Sequence, residues 1–182
     1  MEKVMTTLEF LGLGVVALVV FLVMEGVAWA AHKYVMHGFG WGWHKSHHEE
    51  TEGLFEKNDL YAVVFSVLAI ALFVVGSDGH PVVFAVAVGI TLYGVFYFVV
   101  HDGLVHQRWP FRHIPHKGYA KRLVQAHRLH HAVEGKEGCV SFGFLYAPPV
   151  EQLSSELRRR GTVAAERQAQ KGEPSEPRAP VS

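Results

Sequence analysis

Ten of the thirteen histidines in this 182-residue chain fall into four short clusters. His32 and His37 form H-x4-H, and His44, His47 and His48 form H-x2-H-H. His101 and His106 repeat the pair, and His127, His130 and His131 repeat the triplet. At this histidine content one H-x4-H is expected by chance, whereas an H-x2-H-H is expected only about 0.06 times. Two triplets interleaved with two pairs in the same order therefore form a duplicated pattern. Neutral imidazole binds zinc, copper, iron and nickel, so the chemistry indicated is metal binding. Ten ligands are too many for one ion and suit two. A structural zinc site would close with four ligands. Two irons with open positions for oxygen need more ligands and a sheltered site. The single cysteine, Cys139, excludes an internal disulfide and any cysteine-based zinc or iron–sulfur site. With 17 basic and 17 acidic residues, a polyanion binder held by overall positive charge is excluded, and no nucleic-acid partner is expected.

Helical geometry says how such ligands aim. A triplet at i, i+3, i+4 spans about 100° of arc, so one turn can feed two ions. A pair five residues apart is splayed by about 140° on an ideal α-helix. Such a pair either serves different ions or sits where the helix is distorted. The second triplet shares a stripe with Tyr119, Leu123 and Ala126, while Lys121 and Arg128 point away, so its histidines are expected to face the interior.

The elements that must position these residues are apolar. Runs at about 7–31, 60–76 and 81–100 are near or above the length that crosses a bilayer. The second and third are joined by Ser77-Asp78-Gly79-His80 and read as a transmembrane hairpin. Asn58 and Asp59 are suitable N-caps, and Pro81 suits a first turn. A buried hairpin in a soluble core is the alternative, and the absence of a polar face argues against it. Ala28-Trp29-Ala30 has the form of a signal cleavage site, but the n-region has no net positive charge and the run exceeds about 7–15 residues. It is read as a retained span. Lys33, Lys45, Lys57, Arg108 and Arg112 all lie on one side of three spans, which makes that side cytoplasmic. The expected fold is an all-α, multi-pass protein of the bacterial cytoplasmic membrane. It has about three transmembrane helices, with cytoplasmic helices carrying the histidines.

All ten clustered histidines fall on that side. His80 falls on the other and is not expected to be a ligand. His113 and His116, near Pro110 and Pro115, are either ordinary loop histidines or ligands and their supports. Glu25 lies two helical turns before His32 on the same face, so it orients a ligand, lines a substrate path or is a lipid-interface glutamate. A histidine-rich zinc or copper transporter would place polar groups along its spans, and here they are nearly bare. Leu, Ile and Phe are absent after Leu157, so a domain over 1–157 and a disordered tail over 158–182 are expected.

These motifs resemble the membrane histidine-rich di-iron hydroxylases and desaturases of the fatty acid hydroxylase superfamily. Within it they are most similar to the bacterial β-carotene 3-hydroxylases. The stretches that carry the resemblance are 32–38, 41–48, Asn58-Asp59-Leu60-Tyr61, 101–110 and the run from His127 to Pro149. It covers about residues 25–150. His116 stands where a basic residue is expected, and the tail carries no resemblance. The resemblance implies a di-iron centre held by the ten histidines. It implies hydroxylation of carbon 3 of each β-ionone ring of β-carotene, giving β-cryptoxanthin and then zeaxanthin. O2 is the co-substrate, and ferredoxin or an equivalent donor supplies two electrons. An aliphatic C–H bond offers no acid or base handle, which fits a metal-based oxidant in a dry site.

Asp102, Glu49 and Glu50 are candidate partners of ligand imidazoles, with a solvated face as the plainer reading of the two glutamates. Gly94, Phe96 and Tyr97 either line a substrate path from the bilayer or face lipid and neighbouring helices. The competing readings are a di-iron enzyme acting on a fatty acyl chain, sterol or ketocarotenoid, and a non-enzymatic metal or haem protein. Ligand assignment to each iron, substrate preference and oligomeric state stay open.

Overall fold

A computed structural model describes residues 5–49, 53, 55–110, 112–133 and 135–171. The described residues are helical, with no strand among them. Helix α1 (Thr7–Ala30) runs on into a π-helical segment, Ala31–Phe39. Helices α2 (Trp41–His48) and α3 (Asp59–Ser77) follow. Helix α4 (Pro81–Tyr97) continues into a second π-helical segment, Phe98–Val105. Helices α5 (Gly118–His131) and α6 (Val150–Lys171) complete the chain.

Three helices are long and apolar enough to cross a membrane: Thr7–Phe39, Asp59–Ser77 and Pro81–Val105. This is the all-α membrane architecture expected from the apolar runs. The first helix starts at a capping box, in which Thr6 Oγ1 accepts from Glu9 N at 3.2 Å and Glu9 Oε2 accepts from Thr6 N at 2.8 Å. Helix α4 packs against both α1 and α3. At Gly89 a Cβ would lie 2.6 Å from Ala17 O and 2.7 Å from Val20 Cβ, so the missing side chain is what lets α1 and α4 approach. The α3–α4 turn puts α3 antiparallel to α4. The π-helical ends of α1 and α4 and the start of α3 therefore meet at one end of the bundle.

One expectation about a helix end is corrected. Asn58 occupies the N-cap position of α3, but its side chain caps nothing because it bonds to His44 instead. Helix α6 runs past Leu157, the domain boundary given above, to Lys171. Its residues lack a greasy face but are strong helix formers. Glu156 also pairs with Arg159 at 2.8 Å and with Arg160 at 2.7 Å, three and four residues on. Leu153 and Leu157 pack on Ala126, Val140 and Ala147, and Arg160 donates to Cys139 O, so α6 is tied to α5 and to the loop before it. The part of the expected tail beyond 171 lies outside the described residues.

Candidate metal centre

The two π-helical segments resolve the problem posed by the H-x4-H pairs. Bonding from i to i+5 gives about 4.4 residues per turn, which brings residues five apart to within about 50° instead of 140°. His106 N donates to His101 O at 2.9 Å, and Gly40 N to Val35 O at 2.9 Å, both in this register. Each pair is thereby aimed at one point. Of the two alternatives left open by the spacing, local distortion is the one realised.

The ten clustered histidines converge. Ligand atoms of His32, His37, His44 and His130 all lie within 4.8 Å of one another, as do those of His47, His101, His106 and His127. His48 joins the first group, its Nε2 being 3.3 Å from His44 Nε2. His131 joins the second, with its Nε2 at 2.8 Å from His127 Nε2. Each π-helical pair serves one group, and each triplet divides between both. The groups adjoin, since His48 and His131 stack at 4.4 Å.

Seven of these imidazoles are oriented by an oxygen on Nδ1. In the first group, His32, His37, His48 and His130 donate to the carbonyls of Phe142, Lys136, Val133 and Val140, at 3.0, 2.9, 3.3 and 2.9 Å. His44 donates to Asn58 Oδ1 at 2.7 Å. In the second group, His47 donates to Glu56 Oε2 at 2.9 Å and His101 to Asp102 Oδ1 at 2.8 Å. These acceptors fix the Nδ1–H tautomer and turn each Nε2 lone pair inward. His106 Nε2 lies 2.8 Å from His127 Nε2, and the Nε2 atoms of the oriented rings face each other at 3.1 Å (His32 with His44, His37 with His130). Two neutral lone pairs repel at that distance unless a cation lies between them. His47 Nε2 is buried with no hydrogen-bond partner among the described residues. The residues therefore fit metal ions, one per group.

Burial, and after it the neighbouring imidazoles, push these histidines below their ordinary pKa of 6.5. His44 falls to about 3, His48 to about 4 and His131 to about 2, while His47, His127 and His130 also lie well below. His106 falls to about 4 through burial and then the charge of Arg108. Neutral imidazole is the ligating form, so the site is ready for metal at neutral pH.

Several supports escaped sequence reasoning. Glu56 was not singled out, Asn58 was assigned to capping, and the carbonyls of the loop 133–142 carry no side-chain signature. Asp102 does bond to a clustered imidazole, that of His101, whereas Glu49 pairs with Lys45 at 3.1 Å on the surface. Glu50 lies outside the described residues. His80, His113 and His116 are exposed and belong to neither group. Glu25 is neither a ligand orienter nor lipid-facing. Its carboxylate accepts from the N–H groups of Phe144, Leu145 and Tyr146 at 3.0, 3.1 and 2.9 Å, and from Tyr93 OH at 2.7 Å. It pins the loop whose ring, Phe144, stacks on His32 at 5.0 Å.

An apolar cavity of about 540 Å³ lies among α1, α3 and α4. Ala28, Ala62, Ala69, Gly94, Tyr97 and Phe144 are among its lining residues. Of the path residues considered, Gly94 and Tyr97 line it, while Phe96 instead packs on Phe21 at 5.3 Å and is half exposed. The rings at its inner end lie on the imidazoles, Tyr97 stacking on His101 at 4.6 Å and Phe144 on His32.

A bundle of membrane helices that gathers ten buried or half-buried imidazoles into two adjoining groups beside an apolar cavity defines the class of integral-membrane histidine-cluster proteins. Residues 17–148 match the family described as Fatty acid hydroxylase, and the chain belongs to it. The chain is 62% identical over 148 residues to the beta-carotene hydroxylase of Paracoccus sp. (strain N81106 / MBIC 01143), covering 81% of this chain and 91% of that one. It is 61% identical over 162 residues to the beta-carotene hydroxylase of Pantoea ananas, covering 86% and 93%. A more distant relative is the chloroplastic beta-carotene hydroxylase 1 of Capsicum annuum, 38% identical over 148 residues and covering 75% and 46%. No solved structure matches the chain.

Proposed function

We propose that this chain is a di-iron monooxygenase that hydroxylates carbon 3 of the β-ionone rings of β-carotene, giving β-cryptoxanthin and then zeaxanthin. Each turnover consumes O2, two electrons and two protons, places one oxygen atom in the C–H bond and releases the other as water. Reduced ferredoxin, or an equivalent donor, supplies the electrons. The iron pair would be held by His32, His37, His44, His48 and His130 on one side and by His47, His101, His106, His127 and His131 on the other. Bound there, iron supplies the oxygen-activating chemistry that no side chain can perform on an aliphatic C–H bond. Placement of the basic residues supports a cytoplasmic imidazole layer, where soluble donors have access.

The observation that carries the reading is the continuity between cavity and ligands. The rings of Tyr97 and Phe144 form the inner wall of the cavity and also lie against His101 and His32. A ring entering from the bilayer meets that wall with its edge toward the imidazoles. The apolar lining excludes water from the reacting carbon, and the names of the relatives supply the carotenoid. Expression in a β-carotene-producing bacterium, followed by pigment chromatography, tests the proposal. Hydroxylated carotenoid is expected. Its absence from cells holding inserted, iron-loaded protein overturns the reading.

A further inference from the structure

The two imidazole groups have the same number of rings but different supports. Every Nδ1 acceptor given above for the first group is neutral: four backbone carbonyls of the loop 133–142 and the amide oxygen of Asn58. The two acceptors in the second group are carboxylates, Glu56 on His47 and Asp102 on His101. These carboxylates belong to a wider ionic cluster. Arg108 makes two 2.9 Å bonds to Asp59 and stands 3.8 Å from Asp102, and Asp59 Oδ2 accepts from the Glu56 backbone N–H at 2.9 Å. A carboxylate behind an imidazole raises its basicity and strengthens its bond to a metal, whereas a carbonyl does so less.

We propose that Glu56 and Asp102 are positioning residues that make the two metal sites unequal. The site of His47, His101, His106, His127 and His131 would bind its ion more tightly. The carbonyl-supported site is the labile one. Asn58 and Glu56 stand at matching places, each behind a member of the first triplet and only two residues apart in sequence. One short stretch, 56–58, therefore contributes a support of each kind, with Asp102 adding the second carboxylate. The inference rests on the two-metal reading above.

The test is chelator-driven release of iron from the purified full chain in detergent, counted by elemental analysis. Mössbauer spectroscopy on iron-57 identifies which ion leaves. Two ions released in two steps are expected of the wild type. Glu56→Gln is expected to advance the later step by about 10–100-fold and leave the earlier one in place. Asp102→Asn acts in the same direction. Asn58→Asp is expected to delay the earlier step by a similar factor, a gain that partial unfolding cannot mimic. Release of both ions in a single step, an effect of Glu56→Gln on both steps or on the earlier alone, or an Asn58→Asp variant that loses iron faster overturns the proposal. Fewer than two ions in the wild type instead counts against the di-iron reading itself.

Discussion

Along a single helix, the chain passes between two kinds of construction. Residues 81–97 of α4 offer Gly89, Ala85 and Ala87 to close packing, and Tyr93 OH bonds to the Glu25 carboxylate. Residues 98–105 widen into a π-helix capped by His106, and His101, Asp102 and His106 are each bonded to a polar group of the site. The lower half is specified by shape and apolarity, and many sequences satisfy it. The upper half is specified by paired donors and acceptors, where an orphaned buried group costs about 1–3 kcal/mol. Substitutions in the imidazole layer should therefore fail sharply, and those in the spans should fail gradually.

The largest effects are expected where an imidazole itself is removed. His47→Ala or His130→Ala should abolish hydroxylation and lower bound iron, read by pigment chromatography and elemental analysis. Full iron content in either variant would break the contrast between the two regions. Glu25→Ala comes next, because Glu25 lies within the helical part of a span yet is built by the rules of the upper half. Three backbone N–H groups and Tyr93 OH would lose their acceptor, at about 1–3 kcal/mol for each group left unsatisfied. Faster hydrogen exchange over 139–148 and a fall in activity by about tenfold or more are expected. Unchanged exchange would show that the loop holds itself.

Acid sharpens the same contrast. The folded values of His44, His48, His106 and His131 lie between about 2 and 4, against an ordinary 6.5. Between those limits the unfolded chain binds protons that the folded chain refuses, so stability rises with pH up to about 6.5 and is flat above it. Metal-free protein should lose thermal stability progressively as pH falls from 6.5 toward 4. Equal melting temperatures at pH 7 and pH 5 would contradict the buried, neutral imidazoles.

How far each region was legible follows from the same difference. Hydropathy reveals the spans because burial in lipid is a property of each residue singly. Histidine spacing reveals the two imidazole groups because metal binding demands residue type. The π-helical distortion was legible only as a dilemma: two rings 140° apart had either to part or to bend the helix. The supports were mostly invisible. The carbonyls of Val133, Lys136, Val140 and Phe142 are common to any sequence, and Glu56 lies nine residues from its histidine across a loop. Asn58 was misread because capping is a local rule, and a 2.7 Å bond to His44 overrode it.

The spans supply the two smallest effects. Gly89→Val puts carbon where Ala17 O and Val20 now sit, and overpacking of this kind costs about 1–3 kcal/mol. Lower thermal stability with retained iron is expected, since α1 and α4 can part slightly without moving their π-helical ends. Loss of iron with little loss of stability would show that the spans transmit strain to the ligands. At the far end, His80 is exposed in the α3–α4 turn, and its ring makes no bond among the described residues. Its backbone carbonyl accepts from Phe84 N at 3.1 Å, a bond that alanine preserves. His80→Ala should leave iron content and activity unchanged and shift stability by no more than about 0.5 kcal/mol. Because His80 has the same side-chain chemistry as the ten clustered histidines and differs from them in position, a large loss of iron there would mean that the two ends of the bundle are not separate.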